Sequence, residues 1–290
     1  MSRIVLLLSL VLSLGASAET LIRMSGSTTV SPIAEALVNA YRKSHTDTFY
    51  DIRESGCYKG VRDLGKKRVS IGLLARRLKK NEQKNYPDLS LRTIGYDGVA
   101  LIVRSDNPIK NLSKGELRDI FMGRTKQWKA VGGKNAPIML ISEDFGRSGF
   151  EALLYYLDLD ATTATIEGEN HILFSKQRSD TRSKNPAVIA HGNREMIRMV
   201  AEEQDAIGYT SSVEAMKAIK AGMPLRIIEL DGHFPSNENI MNNSYPLPRE
   251  LNLVVREPMD PAVFDFVRFA RSKEGRAVVE SMGYPVKLGR

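Results

Sequence analysis

The chain has 290 residues, a formal net charge of +8, 26% charged and 42% hydrophobic residues, and one cysteine. That length supports one large or two medium domains with a packed core, and the lone Cys57 excludes an internal disulfide framework. Basic residues are scattered and aromatics make up only 7%, which argues against nucleic acid and, in a general way, for anionic ligands or surfaces.

Residues 1–18 read as a secretory signal peptide. Arg3 supplies the positive start, residues 4–14 the apolar core, and Ala16-Ser17-Ala18 a small-residue cleavage site. The apolar core is too short for a membrane anchor, and no cysteine at the cleavage site indicates a lipid anchor. An exported, soluble chain is expected.

An apolar run, Leu21-Ile22-Arg23-Met24, then leads into Ser25-Gly26-Ser27-Thr28-Thr29-Val30-Ser31-Pro32 and an amphipathic helix over 33–43. A strand, a hydroxyl-rich turn and a helix start place free N–H groups and hydroxyls at a positive dipole end, which suits a tetrahedral oxyanion. The plainer alternative is a helix cap made by Thr28 or Ser31. Residues 49–53 predict a strand, 60–66 a short helix, and 69–74, 89–94 and 98–103 further strands. Ser113-Lys114-Gly115-Glu116 is a capping box opening a helix to about 122. An apolar strand over 138–141 precedes Gly146-Arg147-Ser148-Gly149 and a helix through 157. Gly192-Asn193 caps a helix to 203, and 206–209 is a short buried strand. A helix over 214–221 and strands over 225–230 and 251–255 precede two terminal helices, over about 261–271 and 273–282. The polar segments 168–186 and 231–248 show little periodicity and predict long loops. The alternation predicts α/β layers with mainly parallel sheets.

The densest basic runs, Lys66-Lys67-Arg68 and Arg76-Arg77-Leu78-Lys79-Lys80, read as solvated rims. The histidines show no metal-ligand spacing, and no motif sets a base beside Cys57. No cofactor, metal or catalytic residue is therefore expected. Trp128, the single tryptophan, reads as packing.

Several ordered motifs carry a resemblance. They are the Ser25–Pro32 loop, Gly95-Tyr-Asp-Gly-Val-Ala-Leu-Ile-Val103, Asp106-Asn-Pro-Ile-Lys-Asn-Leu112, and Leu117-Arg-Asp-Ile-Phe-Met-Gly123 leading to Trp128-Lys-Ala-Val-Gly-Gly133. Ala206-Ile-Gly-Tyr209, Tyr245-Pro-Leu-Pro-Arg249, Glu274-Gly-Arg-Ala-Val-Val-Glu280 and Gly283-Tyr284 complete the set. Over the whole chain beyond the signal peptide, the sequence resembles the phosphate-binding proteins of bacterial ABC importers. The resemblance implies a two-lobed periplasmic-binding-protein fold, each lobe a mainly parallel sheet flanked by helices, joined by crossing strands near 98–103 and 245–255. Lobe 1 would comprise 19–97 and 250–290, and lobe 2 residues 98–249. Ligand would bind in the cleft and close the lobes by hinge motion.

The resemblance also implies which side chains hold the anion. Ser27, Thr28 and Thr29 keep the first loop's chemistry intact. Cys57 falls on a serine position of the second loop, and a neutral thiol is a poor donor, so Ser55 or Lys59 would take over or the contact would weaken. After the strand over 69–74 stand Ala75, which offers no polar group, and Arg76, which would pair with an oxyanion in bidentate fashion. The third loop departs furthest: Glu143 stands near the place of an arginine, and in Gly146-Arg147-Ser148-Gly149 Arg147 replaces the serine of a Gly-Ser-Gly-Thr turn. A register one residue different would put Ser148 and Gly149 on the family's Ser-Gly. Glu143 would pair with Arg147 or Arg76, or turn to solvent. Asp97 is either a cleft acceptor or a hinge tie.

The expected function is a periplasmic, monomeric receptor that captures inorganic phosphate and delivers it to ABC importer membrane subunits. The altered residues Cys57, Ala75, Glu143 and Arg147 sustain an alternative: a receptor-like scaffold for another small anion, or for a protein partner such as a sensor or envelope component. A phosphate-ester hydrolase is the third reading, and it lacks a nucleophile or metal constellation.

Overall fold

The computed structural model describes residues 20–176, 183 and 185–287. The expected leader, residues 1–18, lies outside the described residues. The chain begins with β1 (Thr20–Gly26), α1 (Ser31–Tyr41), β2 (Thr48–Glu54), α2 (Cys57–Gly65), β3 (Ile71–Leu74) and α3 (Lys80–Asn85). The long β4 (Leu89–Arg104) is followed by β5 (Asn111–Leu112), α4 (Lys114–Phe121), a 3-10 turn (Trp128–Val131), β6 (Met139–Glu143) and α5 (Ser148–Leu157). Next come β7 (Leu159–Ile166), β8 (Glu169–Lys176), β9 (Ala187–Ala190), α6 (Asn193–Glu202), β10 (Ala206–Ser211) and α7 (Ser212–Lys220). The remaining elements are β11 (Leu225–Leu230), α8 (Asn237–Met241), β12 (Pro248–Arg256), α9 (Pro261–Ala270) and α10 (Lys273–Ser281). No described helix is long and apolar enough to cross a membrane.

Local sequence explains the helix boundaries. Pro32 sits in the first turn of α1, where its missing N–H leaves nothing unsatisfied, and Ile33, Leu37, Val38 and Tyr41 recur at helical spacing to form its buried face. The capping box of α4 forms as expected: Ser113 Oγ accepts the Glu116 N–H at 3.2 Å, and Glu116 Oε2 accepts the Ser113 N–H at 2.8 Å.

The strands pair in the order β2-β1-β3-β12-β4-β10-β6-β9-β8-β7. Pairing is parallel within β2-β1-β3 and within β10-β6-β9. It is antiparallel where β4 and β12 cross and in the terminal hairpin. The two strands expected over 89–94 and 98–103 are one continuous strand, because β12 pairs with it from Leu89 to Gly98. This strand serves two cores. Ile94 packs in a cluster with Ile22, Leu37, Leu253 and Phe266, whereas Val99 and Leu101 pack with Leu117, Phe121, Phe150 and Tyr209. Tyr96, Asp97 and Gly98 therefore mark the crossing between the lobes. At Gly98 a side chain would press on Ile240 at 3.1 Å.

The segment expected as a long loop over 168–186 is in part an extended hairpin, β7 against β8. Its tip, Glu167-Gly168, holds φ of 52° and 87°; two consecutive positive φ values match the right-handed twist of paired strands. Residues 177–182 and 184 of that segment lie outside the described residues. The loop expected over 231–248 contains the short α8, capped by Ser236 Oγ accepting the Asn239 N–H at 3.1 Å.

Candidate functional site

The first loop is built around Gly26, where a Cβ would stand 2.1 Å from the Leu73 carbonyl oxygen, so only glycine lets β1 and β3 approach here. The Ser27 N–H donates to that carbonyl at 2.8 Å. Ser27 Oγ accepts the Thr29 N–H at 3.1 Å, and its carbonyl accepts the Ser31 hydroxyl at 2.9 Å. Ser27 thus organises the turn itself, and neither Thr28 nor Ser31 caps the helix, whose N-cap is Val30. Thr29 Oγ1 is taken by two donors across the cleft, Asn193 Nδ2 at 3.0 Å and Arg249 Nη2 at 3.1 Å. Thr28 is half-buried and shows no hydrogen bond to another described residue.

Opposite it, β6 leads into the N-terminus of α5. Arg147 is the N-cap residue, half-buried; its carbonyl accepts the Glu151 N–H at 3.1 Å, and its side chain shows no hydrogen bond or ion pair to another described residue. Its Nη1 and Thr28 Cγ2 each lie 3.3 Å from where a Cβ of Gly192 would stand. Gly192, at φ 144°, is the N-cap of α6 and has no side chain to cap it. Three helix N-termini, those of α1, α5 and α6, therefore face the cleft with Thr28 and Arg147 between them, an arrangement that favours negative charge.

Glu143 settles where the three options of the sequence reading left it open. Among the described residues it makes no ion pair with Arg147 or Arg76, and it is buried rather than turned to solvent. Its Oε2 accepts the Phe150 N–H at 3.0 Å and lies 2.3 Å from where a Gly149 Cβ would be. The carboxylate thus covers the first turn of α5, and Gly149 is glycine because the oxygen occupies the Cβ position. Burial pushes the Glu143 pKa up, opposed by the charges of Arg249 and Arg147 and by the N–H groups of Phe150 and Gly149.

Arg249 was not singled out from the sequence as a ligand group, although it closes the Tyr245–Arg249 motif. It is buried and donates from Nε and Nη2 to Asp97 Oδ2 at 3.0 and 2.7 Å. Nη1 donates to Ser148 Oγ at 3.0 Å. Burial works against its charge, and Asp97 and Glu143 outweigh that, so its pKa is raised. Asp97 also accepts the Ser212 hydroxyl at 2.9 Å, so it ties the hinge as well as holding Arg249. An arginine at the start of a strand whose later residues, Leu251 to Val255, are mostly apolar and buried is the available signal; what it reaches is not.

Two other expected ligand groups are engaged elsewhere. Arg76 clasps Glu82 in bidentate fashion at 2.7 and 2.8 Å, and its Nε lies 3.0 Å from Glu151 Oε2 on α5. Burial works against its charge, and the hydrogen bonds it donates to Glu82 lead the effects that raise its pKa. With these carboxylates in place Arg76 links the two lobes and has no free fork for an oxyanion. Cys57 begins α2 and packs with Val61, Leu64 and Leu74, its Sγ accepting the Ala75 N–H at 3.5 Å. It is an apolar-core residue with one weak hydrogen bond. The basic run around it is also neutralised: Arg77 pairs with Glu250 at 2.6 Å and Lys79 with Glu151 at 2.7 Å.

The structure therefore brings together Thr28, Thr29, Arg147, Ser148 and Gly149, and adds Arg249, Asn193 and Glu143. The lobes also touch through the Tyr58 N–H, which donates to the Gly146 carbonyl at 3.2 Å. A groove of about 650 Å³ opens beside Thr28 and Gly192, and one of about 1000 Å³ beside Ser148 and Arg249. Among the described residues no group of three or more His, Cys, Asp or Glu side chains is arranged to hold a metal.

A two-lobed α/β scaffold, crossed by two long strands beside a cleft lined with helix N-termini, defines a solute-binding receptor. The chain belongs to the PBP superfamily, whose domain model matches residues 15–274. It is 26% identical over 267 residues to the phosphate-binding protein PstS of Borreliella burgdorferi, covering 92% of this chain and 90% of that one. A Clostridium perfringens protein assigned as a phosphate ABC transporter substrate-binding protein and solved with bound phosphate is 26% identical. It superposes with a TM-score of 0.78, over 92% of this chain and 100% of the other. An ABC-type phosphate transport receptor from Vibrio cholerae, 24% identical with a TM-score of 0.71 over 92% of this chain and 100% of the other, shares the fold.

Proposed function

We propose that this chain is the solute receptor of a phosphate ABC importer and binds inorganic phosphate between its lobes. The observation that carries the reading is the meeting of the Thr28 and Arg147 side chains at Gly192, each side chain without a hydrogen-bond partner among the described residues and each beside a helix N-terminus. The solved Clostridium perfringens relative with bound phosphate supports the choice of ligand. Thr28 would donate its N–H and hydroxyl, and Arg147 a charge-assisted pair. Thr29, Ser148, Gly149 and Arg249 would frame the anion rather than hold it with free donors. Ser27 keeps a positioning role, and Cys57 and Arg76 are left to packing and lobe contact.

The lobes in this reading are 19–97 with 250–290, and 98–249, a division supported by the change of core between Ile94 and Val99. A leader over 1–18 would export the chain to the periplasm, where it would act as a monomer, and the importer's membrane subunits would read the closed form. The role is binding rather than catalysis. The test is calorimetric titration of the phosphate-stripped protein with phosphate and with sulfate. Absence of heat at tens of micromolar phosphate would sink the reading. One observation sustains a second reading, a scaffold for another anion or a protein partner: the Glu143 carboxylate lies on the α5 turn where an anion would gain most. Failure of phosphate together with binding of a different anion or of a protein partner would favour it.

A further inference from the structure

A one-sided set of charges lies outside the cleft. A cavity of about 630 Å³ runs between β4 and the terminal helices α9 and α10, and its lining includes Arg92, Arg268, Arg271, Arg276 and Lys287 but no carboxylate. Tyr96 and Lys287 separate it from the larger groove beside Arg249. Its floor is apolar, with Ile94, Met259, Phe264, Val267 and Val286.

The five cations are not equivalent. Arg92 is paired with Glu257, and Arg268 with Asp265 at 2.9 Å; both carboxylates lie outside the cavity lining. Arg268 and Arg271 also close α9, where positive charge offsets the negative end of the helix. Arg276 has neither explanation. It sits within α10, half-buried, and its guanidinium shows no hydrogen bond or ion pair to another described residue. Lys287 Nζ rests 4.9 Å from the Tyr96 ring centre and has no carboxylate partner among the described residues. A half-buried guanidinium with no partner is a donor set in want of an acceptor.

A cavity of this size suits a small organic molecule, with the apolar walls burying its body and a few polar groups fixing its orientation. We propose that this cavity is a second binding site that takes an amphiphilic organic anion: a phosphate or carboxylate head on Arg271, Arg276 and Lys287, with an alkyl or aryl body over Met259, Phe264 and Val267. The site is independent of phosphate binding in the cleft.

Met259 lines the cavity, so the probe is monomeric octyl phosphate added to protein labelled with carbon-13 at its methionine methyl groups. The expected result is a saturable shift of the Met259 methyl signal, weakened at least tenfold in the Arg271→Glu/Arg276→Glu double variant. Neutral octyl glucoside at the same concentrations should leave the signal in place. The proposal is overturned by no saturable shift, by an equal response to octyl glucoside, or by unchanged affinity in the double variant. The octyl glucoside comparison uses the unaltered protein and stands even if the variant folds poorly.

Discussion

Replacing Glu143 by glutamine isolates the residue that departs furthest from an anion receptor. The amide keeps the shape, and its oxygen still accepts the Phe150 N–H that the carboxylate takes at 3.0 Å. What disappears is one buried negative charge facing Arg249 and Arg147. An anion seated at Arg147–Gly149 would lie about one helical turn, ~5 Å, from that carboxylate. At an effective dielectric near 20, two unit charges at ~5 Å repel by about 3 kcal/mol. Relaxation and the flanking arginines reduce this, so Glu143→Gln should tighten phosphate binding by about 1–3 kcal/mol, roughly fivefold to 150-fold. The assay is calorimetry on phosphate-stripped wild type and variant at one pH and ionic strength. Unchanged affinity would mean that the ligand does not face Glu143. Weaker binding would mean that the carboxylate accepts a proton from the ligand and belongs to the site.

Arg147→Ala should weaken phosphate binding by about 1.5–3 kcal/mol, the scale of a hydrogen bond to a charged group, with at most a small fall in thermal unfolding, because the Arg147 side chain makes no hydrogen bond or ion pair to another described residue and acts on Glu143 only through its charge. Loss of stability without loss of affinity would contradict this. Arg76→Ala should do the reverse: removing the cation between Glu82 and Glu151 should cost about 3 kcal/mol in denaturant unfolding, with phosphate affinity within about threefold. Glu143 also predicts a pH effect. Its folded pKa is raised, so the native state binds its proton more tightly than the unfolded chain. This contribution is greatest below the ordinary carboxylate value of 4.5, falls as pH rises toward the raised value, and then levels. Denaturation at a series of pH values should show that fall in wild type and not in Glu143→Gln; parallel curves would refute it.

Sequence order alone determined the succession of strands and helices wherever a local signal was strong. The Ser113–Glu116 capping box, the proline at the start of α1 and the apolar run of β11 each act through neighbours a few residues away, so their outcome is written locally. The β7–β8 hairpin is not legible because β7 consists mainly of small and polar residues and only the centre of β8, Ile172 to Phe174, is apolar, so pairing is what shows them to be strands. The candidate site divides along the same line. The Ser25–Pro32 loop, with its glycine, hydroxyls and following helix, is legible because its geometry closes within one turn. Tertiary structure decided the roles of Arg76, Cys57, Glu143 and Arg249. Arg76 reads as a free fork until Glu151, far along the chain, is brought to it. Arg249 reads as a strand residue until the crossing of β4 and β12 sets it against Asp97, Ser148 and Thr29. A charged side chain is defined by the charges that burial places around it, and those come from segments that the sequence keeps apart.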